Sequence, residues 1–219
     1  MKLSNGSSIL ILGVLGIASA LLSIALPSGG YNSILWVGTV YGLALSVYFV
    51  CCRGVRVFDH LLALVLASVG AYTIAFVGPF PIFAMQVVLA SSSASHQGEV
   101  PLLYVFDGGV LGGIALLSAV LLLFVSRPLG KGELFTKLAL GSLLSGLVGV
   151  GGWSLGSSLG QRVWLMLPWT LLHTGLAQPD TPHYISLYLV WQPIMALAIG
   201  AVTSEGPSIL SLAAAPKPD

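Results

Sequence analysis

The chain has 219 residues, of which 56% are hydrophobic and 7% are charged. Soluble domains carry about a quarter charged residues, so this composition excludes a water-exposed surface and indicates an integral membrane protein in a lipid bilayer. The net charge of +1 excludes a basic nucleic-acid surface, so we expect no nucleic-acid partner. The two adjacent cysteines, Cys51 and Cys52, are too few for a disulfide framework or a cysteine zinc site.

Six stretches are long and apolar enough to cross a bilayer as helices, which takes about 20 residues each. In chain order they cover residues 8–26, 33–51, 57–77, 103–125, 134–153 and 184–203. The first exceeds the apolar run of a cleaved signal peptide, so we expect a retained span. The sequence therefore predicts an all-α, six-helix membrane domain over residues 1–203, followed by a flexible polar tail over 204–219.

The basic residues predict the orientation, because Lys and Arg in short loops stay on the cytoplasmic side. With the N-terminus inside, seven of the eight basic residues fall on the inner side, and Arg162 falls on the outer side. We therefore predict cytoplasmic N- and C-termini in a plasma (inner) membrane. The stretch 163–177 contains Pro168, Trp164 and Trp169 and is too short to span, so we expect a re-entrant or interfacial segment between spans five and six.

Small residues on spans four and five predict where these two helices touch. Glycine and serine spaced about four residues apart let backbones approach closely, and in lipid this contact holds helices together. The residues predicted to pack in this way are Gly108, Gly112, Gly141, Ser145, Gly149 and Gly152. We expect a tight hairpin of the two spans at the centre of the bundle.

Asp107 shares the small-residue face of span four, about a turn inside its outer boundary. A carboxylate that faces the membrane interior is costly, so we expect a partner or a water-filled cavity beside it. Arg162, His173 and His183 are the candidate partners. The alternative is that Asp107 caps span four or accepts a hydrogen bond from a loop amide.

Two further spans carry polar candidates. Asp59 and His60 lie beside Arg56 at the inner end of span three. They form either an anchor at the headgroup level or the inner mouth of a proton pathway. Gln192 precedes Pro193 in span six, and the proline frees a carbonyl one turn back. Gln192 either bonds a neighbouring helix or lines a ligand cavity.

No sequence motif specifies a catalytic or metal centre, and no cofactor follows from the residues. His96, His173 and His183 lie in predicted outer loops without the ligand spacing of a zinc site. The serine-containing stretch 151–160 lacks the nucleophile motif of a hydrolase.

Three functions remain open on the sequence. Few charges, small-residue faces and missing motifs favour a non-catalytic subunit or accessory component that packs against other membrane subunits, against its own copies or against a lipid-soluble partner. The second is a small-solute or ion transporter or channel, with an outward-facing cavity around Asp107 and Gln192, and with Asp59 and His60 at its inner mouth. The third is an enzyme that modifies lipids at the outer leaflet through the segment 154–183.

The predicted orientation can be tested with single cysteines in a variant whose Cys51 and Cys52 are alanine. In intact cells, a membrane-impermeant maleimide is expected to label Arg162→Cys and to leave Lys217→Cys unlabelled until the membrane is opened. Labelling of Lys217→Cys in intact cells would contradict the six-span orientation.

Overall fold

The structure is a computed structural model. It describes residues 5–25, 32–55, 58–79, 81, 102–125, 130–166 and 181–204. Across these ranges the regular structure is helical, and no strand is found in them. The helices are α1 (Asn5–Ala25), α2 (Asn32–Arg53), α3 (Phe58–Val77), α4 (Leu102–Phe124), α5 (Lys131–Ser154), α6 (Gln161–Met166) and α7 (Thr181–Ser204), with a π-helical segment (Gly156–Gly160) before α6.

Six of these helices, α1 to α5 and α7, are long and apolar enough to cross a membrane. The prediction of a polytopic helical membrane protein is therefore confirmed. Three of the six begin three residues earlier than the predicted spans, at Asn5, Lys131 and Thr181. Apolarity marks only the hydrocarbon-facing part of a helix, whereas backbone hydrogen bonding continues through polar residues at the membrane surface. At the start of α5, for example, Lys137 pairs with Glu133 one turn back, at 3.3 Å.

The six spans close into a ring in the order α1, α2, α3, α4, α5, α7, and α7 returns to α1. The pairing of α4 with α5 is the most extensive, followed by that of α1 with α7. Neighbours run antiparallel, because early residues of one helix meet late residues of the next. Gly38 of α2 approaches Val69 of α3, for example, and Gly42 approaches Val65.

This alternation gathers the ends of helices at two levels. One level contains the end of α3 and the start of α4 together with the end of α5 and the start of α7. We call this level the distal end of the bundle and the opposite level the proximal end. The distal end is the one that the basic residues predict to face outward. The segment 167–180, which includes most of the predicted re-entrant stretch, lies outside the described residues, as does the tail after Ser204.

Glycines bring neighbouring backbones into direct contact around the ring. A Cβ added to Gly16 of α1 would lie 2.7 Å from the Cα of Pro193 in α7, and one added to Gly109 of α4 would lie 2.7 Å from the carbonyl oxygen of Ser145 in α5. Neither position leaves room for a side chain. Because lipid tails are as apolar as the side chains, such close packing replaces the hydrophobic effect as the source of helix association.

Arg53 and Gly54 lie at the proximal end, where α2 ends and contacts α7. Gly54 has a φ of 68°, in the left-handed region that favours glycine, and α2 ends there. The Arg53 guanidinium donates a hydrogen bond to the carbonyl oxygen of Thr203 at 2.6 Å. The cation therefore lies at the C-terminal end of α7, where the helix dipole favours positive charge.

The contact between α1 and α7 can be tested with two substitutions on the same helix. Gly16→Leu is expected to lower the stability of the fold by about 1–3 kcal/mol or more, because the added side chain forces α1 away from Pro193. Gly6→Leu is the matched control, since a Cβ there meets nothing within 4 Å. The measurement is the melting temperature and folded yield in detergent, and equal values for the two variants would contradict this contact.

Candidate functional site

The small residues predicted on α4 contact two different neighbours. Gly108 and Gly112 face α3, where a Cβ added to Gly112 would lie 3.0 Å from the carbonyl oxygen of Ala71. Gly109 and Gly113, each one residue further along, face α5 instead. The face that the sequence assigned to α5 therefore packs against α3.

The predicted small residues of α5 also divide between neighbours. Gly141 lies against the side chain of Leu117 in α4, and the Ser145 hydroxyl donates a hydrogen bond to the Gly109 carbonyl at 2.6 Å. Gly152 instead faces α7. Gly149 is less crowded, because a Cβ there would be 3.5 Å from its nearest neighbour, the Val105 carbonyl oxygen.

Asp107 lies on the side of α4 that faces away from the centre of the bundle. It is nine residues before the fully buried Leu116, which corresponds to half a turn around the helix. Asp107 is half-buried, Arg162 is exposed on α6, and no ion pair joins them in the described part of the chain. The expected inward orientation of Asp107 is therefore corrected: the small residues beside it mark the contact with α3.

His183, another candidate partner of Asp107, contacts α5. His183 contacts the carbonyl oxygen of Trp153 through Nδ1 at 2.8 Å, and its ring stacks on the Trp153 indole with centroids 5.0 Å apart. His173 lies outside the described residues.

Asp59 and His60 lie in the first turn of α3, at the proximal end. Asp59 is exposed, whereas His60 is half-buried with its ring 6.4 Å from that of Phe124 in α4. Arg56, the predicted ion-pair partner of Asp59, lies outside the described residues. A shared proton pathway through Asp59 and His60 stays a prediction.

Gln192 is fully buried and bonds three neighbouring residues. Its Oε1 accepts a hydrogen bond from the Ser19 hydroxyl at 2.6 Å, and its Nε2 donates to the Ser23 hydroxyl at 3.2 Å. Its backbone carbonyl accepts a hydrogen bond from the Tyr41 hydroxyl at 3.2 Å. Gln192 therefore forms hydrogen bonds with neighbouring helices, which is one of the two roles predicted for it.

Trp191, the residue before Gln192, forms a hydrogen bond with α5, on the other side of α7. The Trp191 indole donates a hydrogen bond to the Ser145 hydroxyl at 2.9 Å, and Ser145 in turn bonds Gly109 of α4. Two adjacent residues of α7 therefore connect it to α1 and α2 on one side and to α5 and α4 on the other. These hydrogen bonds remove the free-energy penalty that an unpaired polar group has in an apolar environment.

A cleft lies between α3, α4, α5 and α7, with about 650 Å³ of empty space including its open mouth. Half of the residues that line it are aromatic: Tyr72, Phe76, Tyr104, Trp153, Tyr184, Tyr188 and Trp191. The others are small or aliphatic, and they include Gly108, Gly109 and Gly149. No Asp, Glu, Lys or Arg is among the described residues that line the cleft.

The aromatic rings extend from the distal end towards the middle of the bundle. Tyr184, Tyr188 and Trp191 share one face of α7 at spacings of four and three residues, so they cover about 10 Å along the helix. At the mouth, the Tyr184 ring stacks on Phe76 with centroids 5.9 Å apart. At the inner end, the Tyr72 ring meets Trp191 edge to face at 5.2 Å. The rings thus form a continuous apolar wall of the kind that binds organic ligands.

Sequence reasoning singled out none of these aromatic residues. The available signal was the spacing of Tyr184, Tyr188 and Trp191, together with the four-residue spacing of Tyr72 and Phe76. Within the described residues, no group of His, Cys, Asp or Glu side chains is placed to hold a metal ion. No protein-family model, curated protein or solved structure matches the chain. A function is therefore inferred from the geometry of the cleft.

The hydrogen bonds of Gln192 are expected to contribute to stability. Ser19→Ala removes the donor to Oε1, and the expected loss is about 0.6–2 kcal/mol of unfolding free energy, typical of such bonds in membranes. Thr73→Ala is the control, because the Thr73 hydroxyl bonds only a carbonyl of its own helix, that of Val69. Unfolding by dodecyl sulfate in mixed micelles measures both variants, and equal stabilities would contradict the inferred role of Ser19.

Proposed function

We propose that the protein is a non-catalytic membrane protein that holds a lipid-soluble molecule in the aromatic cleft, as a subunit or accessory component of a membrane assembly. The observation that supports this proposal is the cleft itself. Small-molecule sites are concave and mostly apolar with few polar groups, and the lining of the cleft has this character. A molecule that partitions into the bilayer would reach it at high local concentration.

The lining favours binding over catalysis. General acid–base chemistry uses a side chain whose pKa lies near the working pH, most often a histidine or a carboxylate. The titratable side chains that line the cleft are tyrosines, which are neutral phenols at pH 7. The third function left open by the sequence, a lipid-modifying enzyme, was assigned to the segment 154–183, much of which lies outside the described residues.

Transport has less support than binding. The transporter alternative places Asp107 and Gln192 around the cavity, yet neither lines this cleft. Gln192 instead has partners on α1, and Asp107 lies on the far side of α4. Membership of an assembly rests on a different feature, the large apolar side chains on the outside of the ring. Leu66, Leu122 and Leu147 are 62%, 84% and 64% exposed, so they face either lipid or another subunit.

The proposal is tested by filling the cleft. Gly149→Phe is expected to place a ring in the cleft, because Gly149 lines it and has room for a Cβ. Gly151→Phe is the matched control on the same helix, since a Cβ at Gly151 meets nothing within 4 Å. The probe is an alkylbenzene with a photoactivatable diazirine, added to the full chain in lipid nanodiscs, and labelled peptides are mapped by mass spectrometry.

Wild-type protein and Gly151→Phe are expected to show saturable labelling of the cleft helices. Gly149→Phe is expected to bind the probe with an affinity lower by about tenfold or more. If labelling does not saturate and is the same in all three proteins, the cleft does not bind a lipid-soluble ligand.

A further inference from the structure

The cleft is narrow for its length. The space inside it that the centre of a water-sized sphere can occupy is about 70 Å³. An apolar cavity that binds one benzene molecule measures about 150 Å³. Tyr184, Tyr188 and Trp191 follow one another along about 10 Å of α7. About half the volume of a one-ring cavity, spread over this length, suits a thin molecule better than a ring.

Three aromatic rings close the inner end of the cleft. Tyr41, Tyr72 and Trp191 lie against one another, with ring centroids 6.2 Å apart for Tyr41 and Tyr72, 5.8 Å for Tyr41 and Trp191, and 5.2 Å for Tyr72 and Trp191. Tyr41 is fully buried, and so is Gln192, the next residue of α7. The cleft therefore ends at these rings, near the middle of α7.

The polar atoms of these three rings are engaged or enclosed within the protein. The Tyr41 hydroxyl donates a hydrogen bond to the Gln192 carbonyl oxygen, and the Trp191 indole N–H donates to the Ser145 hydroxyl. The Tyr72 hydroxyl lies beside Gln192 and has almost no accessible surface. A polar group that reached the inner end would lose its hydrogen bonds to water and gain none from these rings. The end of a ligand that enters first is therefore apolar.

The mouth of the cleft lies at the distal end of the bundle. Tyr104 is the third residue of α4 and Tyr184 is the fourth residue of α7, so both lie within about 5 Å of the start of their helices. Tyrosine is typical of the membrane–water interface, because its ring is apolar and its hydroxyl is polar. A polar head group at the mouth would therefore keep its contact with water.

We infer that the cleft takes one unbranched alkyl chain, tail first, and leaves the polar head of that molecule at the distal mouth. This inference rests on the proposed function, because it names the ligand class of the same cleft. An extended alkyl chain advances about 1.25 Å per carbon, since its bonds are about 1.5 Å long and its angles are near tetrahedral. The cleft therefore accepts about eight carbons before the chain meets Tyr72 and Trp191.

The direction of entry is tested by the depth that each carbon reaches. The probes are two forms of 1-octanol, with a diazirine at carbon 2 or at carbon 7, photolysed with the full chain in lipid nanodiscs. Tyr72 and Trp191 are 6% and 7% exposed and line the cleft, so labelling of both requires entry. Carbon 7 is expected to label Tyr72 and Trp191, and carbon 2 is expected to label Tyr104 and Tyr184. Mass spectrometry identifies the labelled residues.

The width of the cleft is tested by displacement of the carbon-7 probe. The competitors are unlabelled 1-octanol, the flat 2-(2-naphthyl)ethanol and the compact 1-adamantanemethanol, compared at equal concentrations in the nanodisc membrane. All three carry one hydroxyl group, so a difference reports the shape of the apolar part. 1-Octanol is expected to displace the probe at a concentration lower by about tenfold or more than either ring alcohol. Both measurements use wild-type protein, so they do not depend on the folding of a variant.

The alkyl chain can come from a bilayer lipid or from a free single-chain amphiphile, and a separate arm distinguishes the two. Its probe is a phosphatidylcholine with two octanoyl chains, one of which carries the diazirine at carbon 7. Labelling of Tyr72 and Trp191 by the octanol probe alone supports the inference with a single-chain ligand. Labelling by both probes supports it with a phospholipid chain as well.

The outcomes separate the inference from the function on which it rests. Three results overturn the inference: labelling of Tyr72 and Trp191 by carbon 2 rather than carbon 7, no labelling of either residue by any alkyl-chain probe, or a ring alcohol that displaces as well as 1-octanol. The proposed binding function stands in those cases if Gly149→Phe weakens saturable labelling by the alkylbenzene and Gly151→Phe does not. If no probe distinguishes wild-type protein from Gly149→Phe, both the function and the inference fail.

Discussion

Closure of the ring between α1 and α7 is the contact on which the remaining structure depends. In lipid, the hydrophobic effect does not drive helices together, so this closure requires direct backbone packing and buried hydrogen bonds. Gly16 supplies the packing against Pro193, and Gln192 supplies hydrogen bonds to two serines of α1. Once α7 is held in this way, its opposite face presents three aromatic side chains to α3, α4 and α5. The cleft is thus a consequence of how the two terminal spans meet.

The number and approximate positions of the spans could be predicted from the sequence, because helix length and apolarity follow directly from the thickness of the bilayer. The neighbours of each helix could not. Gly108 and Gly109 are adjacent and identical in type, yet one faces α3 and the other α5. A small side chain shows that something approaches closely, but it does not show what. The inward orientation predicted for Asp107 rests on the same ambiguity, since the small residues beside it mark the contact with α3.

The cleft was harder to predict because its lining comes from four helices that are far apart in sequence. The pattern of Tyr184, Tyr188 and Trp191 marks an aromatic face on α7, but their ring neighbours, Phe76 and Tyr72, belong to α3. Bonding between Gln192 and another helix was among the predicted alternatives, since a buried amide in lipid needs partners. The orientation of the bundle stays a prediction, because it depends on the positive-inside rule.

The ring therefore combines a side where α1, α2 and α7 share hydrogen bonds with a side that contains the aromatic cleft, where we propose that an apolar molecule binds. Such a division suits a protein whose role is to hold a ligand inside the membrane. Native mass spectrometry of the protein released from its own membrane tests this role most directly. Wild-type protein is expected to retain a lipid-soluble molecule that Gly149→Phe lacks. If both proteins carry the same set of bound molecules, the cleft is not a ligand site.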